Sequence, residues 1–203
     1  MTIGIDINDV LRDFTMNYAK LYQRGYNHEF DYDELELWTS DLSALFPFKN
    51  DGAFKKFTYE DYVFEIFGGC PSVETKTTEA LNKLTNDILP NIDIDEPIRV
   101  IVVSPMEYGR SIPATLFFLS KLDCEIRDIL LPMDSSEIWK SCDALVTANP
   151  QLLNSKPDGK ISVKIEQEYN NECESDFSFG TFVKFTKKEE NVLDVINKMK
   201  NGK

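Results

Sequence analysis

The chain has 203 residues, of which 42% are hydrophobic, and these values are typical of one folded domain with or without a modest insert. Its formal net charge of −13 argues against a nucleic-acid backbone as the main partner, because such binding needs clustered Lys and Arg. A single local pocket could still hold a small phosphate group.

The hydrophobic pattern predicts a soluble protein of the cytoplasm. No stretch approaches the ~20 apolar residues that span a bilayer, so we expect no membrane partner. The N-terminus lacks a basic segment followed by a long apolar run, so we expect no signal peptide. The four cysteines have no Cys-x-x-Cys spacing and are predicted to be free thiols. With one histidine in the chain, a zinc site of the usual Cys and His kind is not expected.

Strands and helices alternate along most of the chain. Short, continuously apolar runs predict strands buried on both faces at 3–6, 99–103, 126–131, 144–147 and 161–165. Apolar residues at helical spacing predict helices at 10–22, 75–89, 111–122 and 187–199. This alternation indicates the α/β class, with a Rossmann-like, doubly wound parallel sheet.

The gap between the first two predicted strands is too long for one crossover helix. We therefore predict a core of residues 1–22 and 74–203, and a small helical cap insert at 23–73. The insert is rich in aromatic residues, including Tyr32, Trp38 and Phe67. These aromatics either form the insert's own small core and dock it onto the sheet, or line a lid that stacks on a ligand base.

The first strand ends at a carboxylate and is followed by more polar residues. Asp6 closes the strand, and Asn8, Asp9 and Val10 come directly after it. The carboxyl edge of a parallel sheet is where open α/β folds bind their ligands. The run resembles the first signature of the haloacid-dehalogenase-like (HAD) phosphohydrolases, Asp-x-Asp-x-(Thr/Val)-Leu, with Asn8 in place of the second Asp. The insert, the Ser104-Pro105 turn and the 147–150 loop are similar to the 5'(3')-deoxyribonucleotidase-like branch, which bacteriophage genomes also carry.

This resemblance implies that Asp6 is the nucleophile and that Asn8 occupies the position of the general acid and base. An amide can keep the hydrogen bonds of that position, but it cannot transfer a proton at neutral pH. General acid–base catalysis is worth ~10²–10⁴-fold in rate, so we expect a severe loss. Asp9 could replace the missing acid only if the loop is rearranged.

The resemblance also implies a phosphate site and a metal site. Ser104, which ends the second strand, matches the phosphate-binding hydroxyl, and Lys140 is the candidate phosphate-holding lysine. From its own neighbourhood in the sequence, a surface lysine on a short helix is the favoured interpretation of Lys140. Ala148 stands where the family has a metal-binding Asp. Asp6 would then be the sole protein carboxylate at the metal position, so we expect Mg²⁺ binding to be weak.

Our first interpretation is a HAD-fold protein with impaired or lost phosphatase chemistry that binds a small phosphate or nucleotide, or a protein partner through the cap insert. The alternative is an active magnesium-dependent 5'-nucleotidase-like phosphohydrolase that uses Asp6 as nucleophile. A third hypothesis is dehalogenase or phosphonatase chemistry at Asp6. The last is an unrelated α/β interaction module in which Asp6 caps the helix that begins near Asp9. If the gene belongs to a bacteriophage, the expected location is the host cytoplasm.

Overall fold

The computed structural model describes residues 1–31, 42–93, 96–124, 126–132 and 134–201. Six parallel strands form one sheet in the order β3-β2-β1-β4-β5-β6. The strands are β1 Thr2–Asp6, β2 Arg99–Val103, β3 Ile129–Leu130, β4 Ala144–Thr147, β5 Ile161–Ile165 and β6 Phe177–Phe179. The predicted α/β class is confirmed, and the sheet with its flanking helices is consistent with a Rossmann-like, doubly wound fold.

Helices cover both faces of this sheet. The α-helices are α1 Phe14–Gly25, α2 Leu42–Leu45, α3 Asp51–Lys56, α4 Thr77–Asn82, α5 Ser111–Ser120, α6 Ser136–Ser141, α7 Pro150–Asn154, α8 Phe182–Lys187 and α9 Glu189–Asn201. Shorter π-helical turns span Phe57–Asp61, Phe64–Gly68 and Lys83–Ile88, and 3₁₀ turns span Leu89–Asn91 and Glu168–Asn170. No helix among the described residues is both long and apolar enough to cross a membrane.

Adjacent residues of the central strands point to opposite layers, as the pleat of a strand requires. Val102 packs in the core under α4, α5, α8 and α9, whereas its neighbours Ile101 and Val103 pack in the core under α6 and α7. Leu145 of β4 also joins the second layer. Burial on both faces explains why these strands are continuously apolar rather than alternating.

The central strands agree with the sequence prediction and the edge strands do not. The bounds predicted at 99–103, 144–147 and 161–165 are those of β2, β4 and β5. The strand predicted at 126–131 is shorter, because β3 pairs with β2 over two residues only. β6 was not predicted, since its Phe-Ser-Phe sequence is short and alternating. An edge strand has a neighbour on one side only, so its sequence carries a weaker apolar signal.

The first helix begins four residues later than predicted. Asp9, directly before the predicted start, has a φ of 56° in the left-handed region. Residues 11–13 then pair with residues 71–73, because Asp13 N–H donates to the Pro71 carbonyl oxygen and Val73 N–H donates to that of Leu11. The N–H groups of Leu11 and Arg12 both bind the Ile7 carbonyl oxygen, so these residues form a compact loop. The polar residues after β1 are consequently held above the edge of the sheet, and α1 starts at Phe14.

A second, aromatic core lies beside the sheet. It joins the inner face of α1 to residues of the predicted insert and to Ala114 of α5. Tyr18, for example, has ring contacts with both Phe46 and Phe57. Tyr32 and Trp38 of the predicted insert lie outside the described residues. The domain boundaries at 22 and 74 remain a prediction.

Candidate functional site

Three neighbouring strands bring polar side chains together at the carboxyl edge of the sheet. Asp6 ends β1, Ser104 follows β2 and Thr147 ends β4. All three residues are fully buried. β1 lies between β2 and β4. The strands after β1 are added first on one side of it and then on the other, which makes this position the topological switch point. Doubly wound folds bind ligands at such a point.

Asp6 is held by two hydrogen bonds. The Thr147 hydroxyl donates to Oδ2 at 2.7 Å, and the backbone N–H of Asn8 donates to Oδ1 at 3.3 Å. Burial raises the pKa of Asp6 to about 7, although these two bonds act in the opposite direction. The nearby charges of Glu107 and Asp9 raise the pKa of Asp6 further. Near neutral pH a large fraction of Asp6 is therefore protonated, and a protonated carboxyl is a poor nucleophile.

The Asn8 side chain joins two loops through both ends of its amide. Its Oδ1 accepts from Nε of Arg12 at 2.7 Å, and its Nδ2 donates to Oγ of Ser104 at 3.2 Å. Arginine only donates hydrogen bonds, so the oxygen of the amide must face Arg12 and the nitrogen must face Ser104. The structure thus brings the predicted residues Asp6, Asn8 and Ser104 together, with Asn8 half-buried between them.

A buried ion pair lies next to Asn8, and the sequence analysis missed it. Nη2 of Arg12 and Oε1 of Glu107 are 2.6 Å apart, with both side chains fully buried. Nη1 of Arg12 also donates to the Phe67 carbonyl oxygen and to the Thr115 hydroxyl, each at 2.9 Å. With the bond to Asn8, each nitrogen of the Arg12 guanidinium donates a hydrogen bond within the protein. Two features of the sequence could have pointed to this ion pair. Arg12 directly follows Leu11 in the first signature, and Glu107 comes shortly after the Ser104-Pro105 turn.

Glu107 has one oxygen without a partner among the described residues. Oε1 accepts from Arg12 and from the Thr115 hydroxyl, whereas Oε2 is buried and accepts no hydrogen bond from the part of the chain that the structure describes. Its charge raises the pKa of both Asp6 and Tyr59, so the carboxylate lies near each of them. A buried acceptor without a partner costs free energy, and such atoms occur where a ligand or water completes the site.

Asp9 is held by residues other than Asp6. Its Oδ1 accepts from the backbone N–H of Thr15 at 2.9 Å, and its Oδ2 accepts from the hydroxyls of Thr15 and Tyr169. The Tyr169 hydroxyl is 2.6 Å from Oδ2. These bonds place the Asp9 carboxylate at the start of α1. The alternative that Asp6 caps this helix is not what the contacts show, since Asp9 binds the first turn of α1.

Ala148 and Lys140 are the remaining predicted site positions. Ala148 is fully buried, and its carbonyl oxygen accepts from Nδ2 of Asn170 at 2.8 Å. Lys140 is exposed near the end of α6, which precedes the amino end of β4. Asp6 lies at the carboxyl edge of the sheet, so the structure does not bring Lys140 and Asp6 to the same edge.

The donor set at Asp6 is poor for a resident Mg²⁺ ion. Asp6 is the one predicted metal-site carboxylate, because Ala148 brings none. Across the ranges that the structure describes, no group of three or more His, Cys, Asp or Glu side chains is arranged to hold a metal ion. Mg²⁺ needs hard oxygen ligands at octahedral positions, and these residues supply few.

A separate groove of about 760 Å³ lies at the side of the sheet between the π-helical turn Lys83–Ile88 and β2. Arg99, Ile98 and Asp128 line it together with Leu81 and Leu89. None of its lining residues belongs to the cluster around Asp6.

A scan against protein-family models gives no match to the chain, and a search of curated proteins gives none either.

Proposed function

We propose that this chain is a HAD-type protein that has lost phosphate-ester hydrolysis and keeps a small-ligand pocket at Asp6 and Ser104. The observation that carries the proposal is the amide of Asn8, which is bonded at one end to Arg12 and at the other to Ser104. A phosphatase of the kind that the first strand resembles needs a carboxyl group there to protonate the leaving oxygen.

A further observation supports loss of hydrolysis. Ala148 stands where the resemblance calls for a metal-binding carboxylate, and Thr147 directs its hydroxyl to Asp6. A metal that neutralised phosphate charge and oriented the ester would thus be poorly held.

A small phosphate or a nucleotide is the proposed ligand. The Ser104 hydroxyl accepts from Asn8, so its own hydrogen can be donated to a phosphate oxygen. Protonated Asp6 is a second donor. Because an ionised Asp6 would repel the anion, binding should weaken as the pH rises through about 7.

One observation favours the alternative of an active, magnesium-dependent nucleotidase. The unpartnered Oε2 of Glu107 lies close enough to Asp6 for their charges to interact. Glu107 is therefore the one described carboxyl group in a position to replace the missing acid at Asn8, whereas the oxygens of Asp9 are bonded to Thr15 and Tyr169. In this alternative, Asp6 attacks phosphorus, and Glu107 gives a proton to the leaving oxygen and recovers one from the water that hydrolyses the phosphoaspartate. Glu107 would therefore have to be protonated beside Arg12.

Phosphate release from a panel of nucleoside monophosphates with Mg²⁺ separates the two functions. We expect the protein to release no more phosphate than the Asp6→Ala variant. We also expect the Asn8→Asp variant to remain inactive, because position 148 still lacks a carboxylate. Turnover by the wild type that Glu107→Gln abolishes would establish the alternative instead.

Calorimetric titration with inorganic phosphate at pH 6 and pH 8 tests the retained pocket. Binding should be measurable at pH 6, weaker at pH 8, and reduced at both values in the Ser104→Ala variant. If phosphate and nucleoside monophosphates fail to bind at either pH, the ligand assignment is wrong even where hydrolysis is absent.

A further inference from the structure

The exposed hydrophobic side chains of this protein are concentrated on one surface. Six large hydrophobic residues are exposed among the residues that the structure describes, and five of them lie on or beside α5. We call these five the α5 surface: Phe64, Tyr108, Ile112, Leu116 and Phe117. The sixth, Ile129, lies on the edge strand β3. Scattered single hydrophobics are ordinary, but a contiguous group marks an interaction site.

The α5 surface is continuous. Ile112 and Leu116 are four residues apart and lie along one side of α5. Tyr108 lies just before the helix, in the loop that leads into it. Phe117 extends this side, and its ring is 5.1 Å from that of Phe64 in the neighbouring π-helical turn. The surface therefore runs along all of α5 and onto the segment beside it.

The composition of α5 is that of a helix covered on both sides. Its inner side buries Ala114, Thr115, Phe118 and Leu119. Its outer side carries no charged residue between Ser111 and Ser120, although the chain as a whole has a net charge of −13. A helix with solvent on one side normally shows polar residues there, and an apolar outer side predicts a partner.

We infer that the α5 surface is the interface of a homodimer, with a second copy of this chain as its occupant. The five side chains are between 38% and 64% exposed, which amounts to on the order of 500 Å² of exposed area on each copy. A stable interface buries about 800 Å² per partner, of which the apolar centre is the larger part. The α5 surface supplies that centre, and its polar border can supply the remainder.

The charges at the border suit self-association. Arg110 and Lys121 are exposed at the two ends of α5, and the exposed Glu65 directly follows Phe64 in its π-helical turn. Each copy thus carries both signs around one apolar centre. In a two-fold contact the same patch meets itself, so basic residues of one copy can face acidic residues of the other.

The sedimentation equilibrium of the whole protein tests this inference. At roughly 50 µM we expect the wild type to have twice its monomer mass of 23.3 kDa. Leu116→Glu places two like charges across the two-fold contact, so its dissociation constant should rise by about 100-fold or more. Ile129→Glu is the matched control, because Ile129 and Leu116 are exposed to similar degrees, 40% and 43%. This control should stay dimeric.

Phe64→Ser provides a second variant outside α5, in case Leu116→Glu impairs the helix itself. It should also weaken the dimer, and circular dichroism should show a native spectrum for both variants. A monomeric wild type at roughly 50 µM would overturn the inference, whatever else binds this surface. A dimer that Leu116→Glu and Phe64→Ser leave intact, or that Ile129→Glu disrupts equally, would place the interface elsewhere.

Discussion

Two ion pairs of this protein have the same length and different surroundings. Arg12–Glu107 and Arg99–Asp128 each bring an Arg nitrogen to 2.6 Å from a carboxylate oxygen. The first pair is fully buried, whereas the side chains of the second are 61% and 34% exposed. Distance alone would rank them equal. Burial decides how much the loss of one partner changes the stability of the protein. Water screens the exposed pair, whereas a buried charge that loses its partner has neither water nor another counter-charge beside it.

The largest effect should follow from breaking the buried pair. Arg12→Met leaves the Glu107 carboxylate buried without a counter-charge and removes the bond to Asn8. We expect it to lower the free energy of unfolding by about 3–5 kcal/mol. Urea denaturation at pH 7 measures this loss. The double variant Arg12→Met, Glu107→Leu should recover most of it, and a double variant as unstable as Arg12→Met would contradict the charge argument.

The next effect concerns Asp6, which lies within reach of the charge of Glu107. The folded-state pKa of Asp6 is raised from 3.8 to about 7, so the folded protein binds a proton more tightly than the unfolded chain. Its contribution to stability is complete below pH 4 and is lost as the pH rises through about 7. We expect the loss to be about 2–4 kcal/mol between pH 4 and pH 8.

Comparison of Asp6→Asn with the wild type across this pH range isolates that contribution, since the amide does not titrate. Asp128→Asn is the control on the exposed pair. The pKa of Asp128 is lowered by its bond to Arg99, so any dependence that it contributes has the opposite sign and appears as the pH falls. The stability of the wild type, relative to that of Asp6→Asn, should decline between pH 4 and pH 8. The absence of this decline would show that burial does not raise the pKa of Asp6.

A smaller effect, on the pKa of Asp6 rather than on the free energy of unfolding, should appear when the charge of Glu107 is removed and its shape is kept. Glu107→Gln retains an acceptor for Arg12 but removes a negative charge that raises the pKa of Asp6. The pKa of Asp6, followed by carbon NMR of its carboxyl group, should therefore fall. Glu137→Gln, on the exposed surface of α6, should leave the pKa of Asp6 unchanged. A rise in the pKa of Asp6 would exclude this coupling.

The smallest effect is expected at the exposed pair. Arg99→Ala removes both hydrogen bonds to Asp128, at 2.7 and 2.6 Å, yet solvent can replace them. We expect urea denaturation to show no change in stability beyond experimental error at physiological salt. A loss comparable to that of Arg12→Met would mean that bond length, rather than burial, ranks these two pairs.

The sequence predicted the parts of this molecule that depend on local pattern. Continuous apolar runs located β2, β4 and β5 to the residue, because strands buried on both faces tolerate little else. The positions of Asp6 and Ser104 after their strands also located the cluster at the sheet edge. These inferences need only neighbours in sequence.

The remainder depends on contacts between distant residues. Arg12 and Glu107 are 95 residues apart in sequence, and no pattern links them. The roles of Thr147 and Tyr169 likewise arise only when the strands are assembled. The delayed start of α1 follows from the backbone pairing of residues 11–13 with residues 71–73, which a hydrophobic pattern over 10–22 does not reveal.

The amide of Asn8 also limits the electrostatic repulsion within this buried cluster. Asp6 interacts with the charges of Asp9 and Glu107, and Glu107 pairs with Arg12, whereas Asn8 adds no charge. An Asn8→Asp substitution would add a further carboxylate beside Arg12, whose guanidinium already pairs with Glu107. The neutral side chain at position 8 therefore lets the loop bind both Arg12 and Ser104 without a further negative charge at the sheet edge.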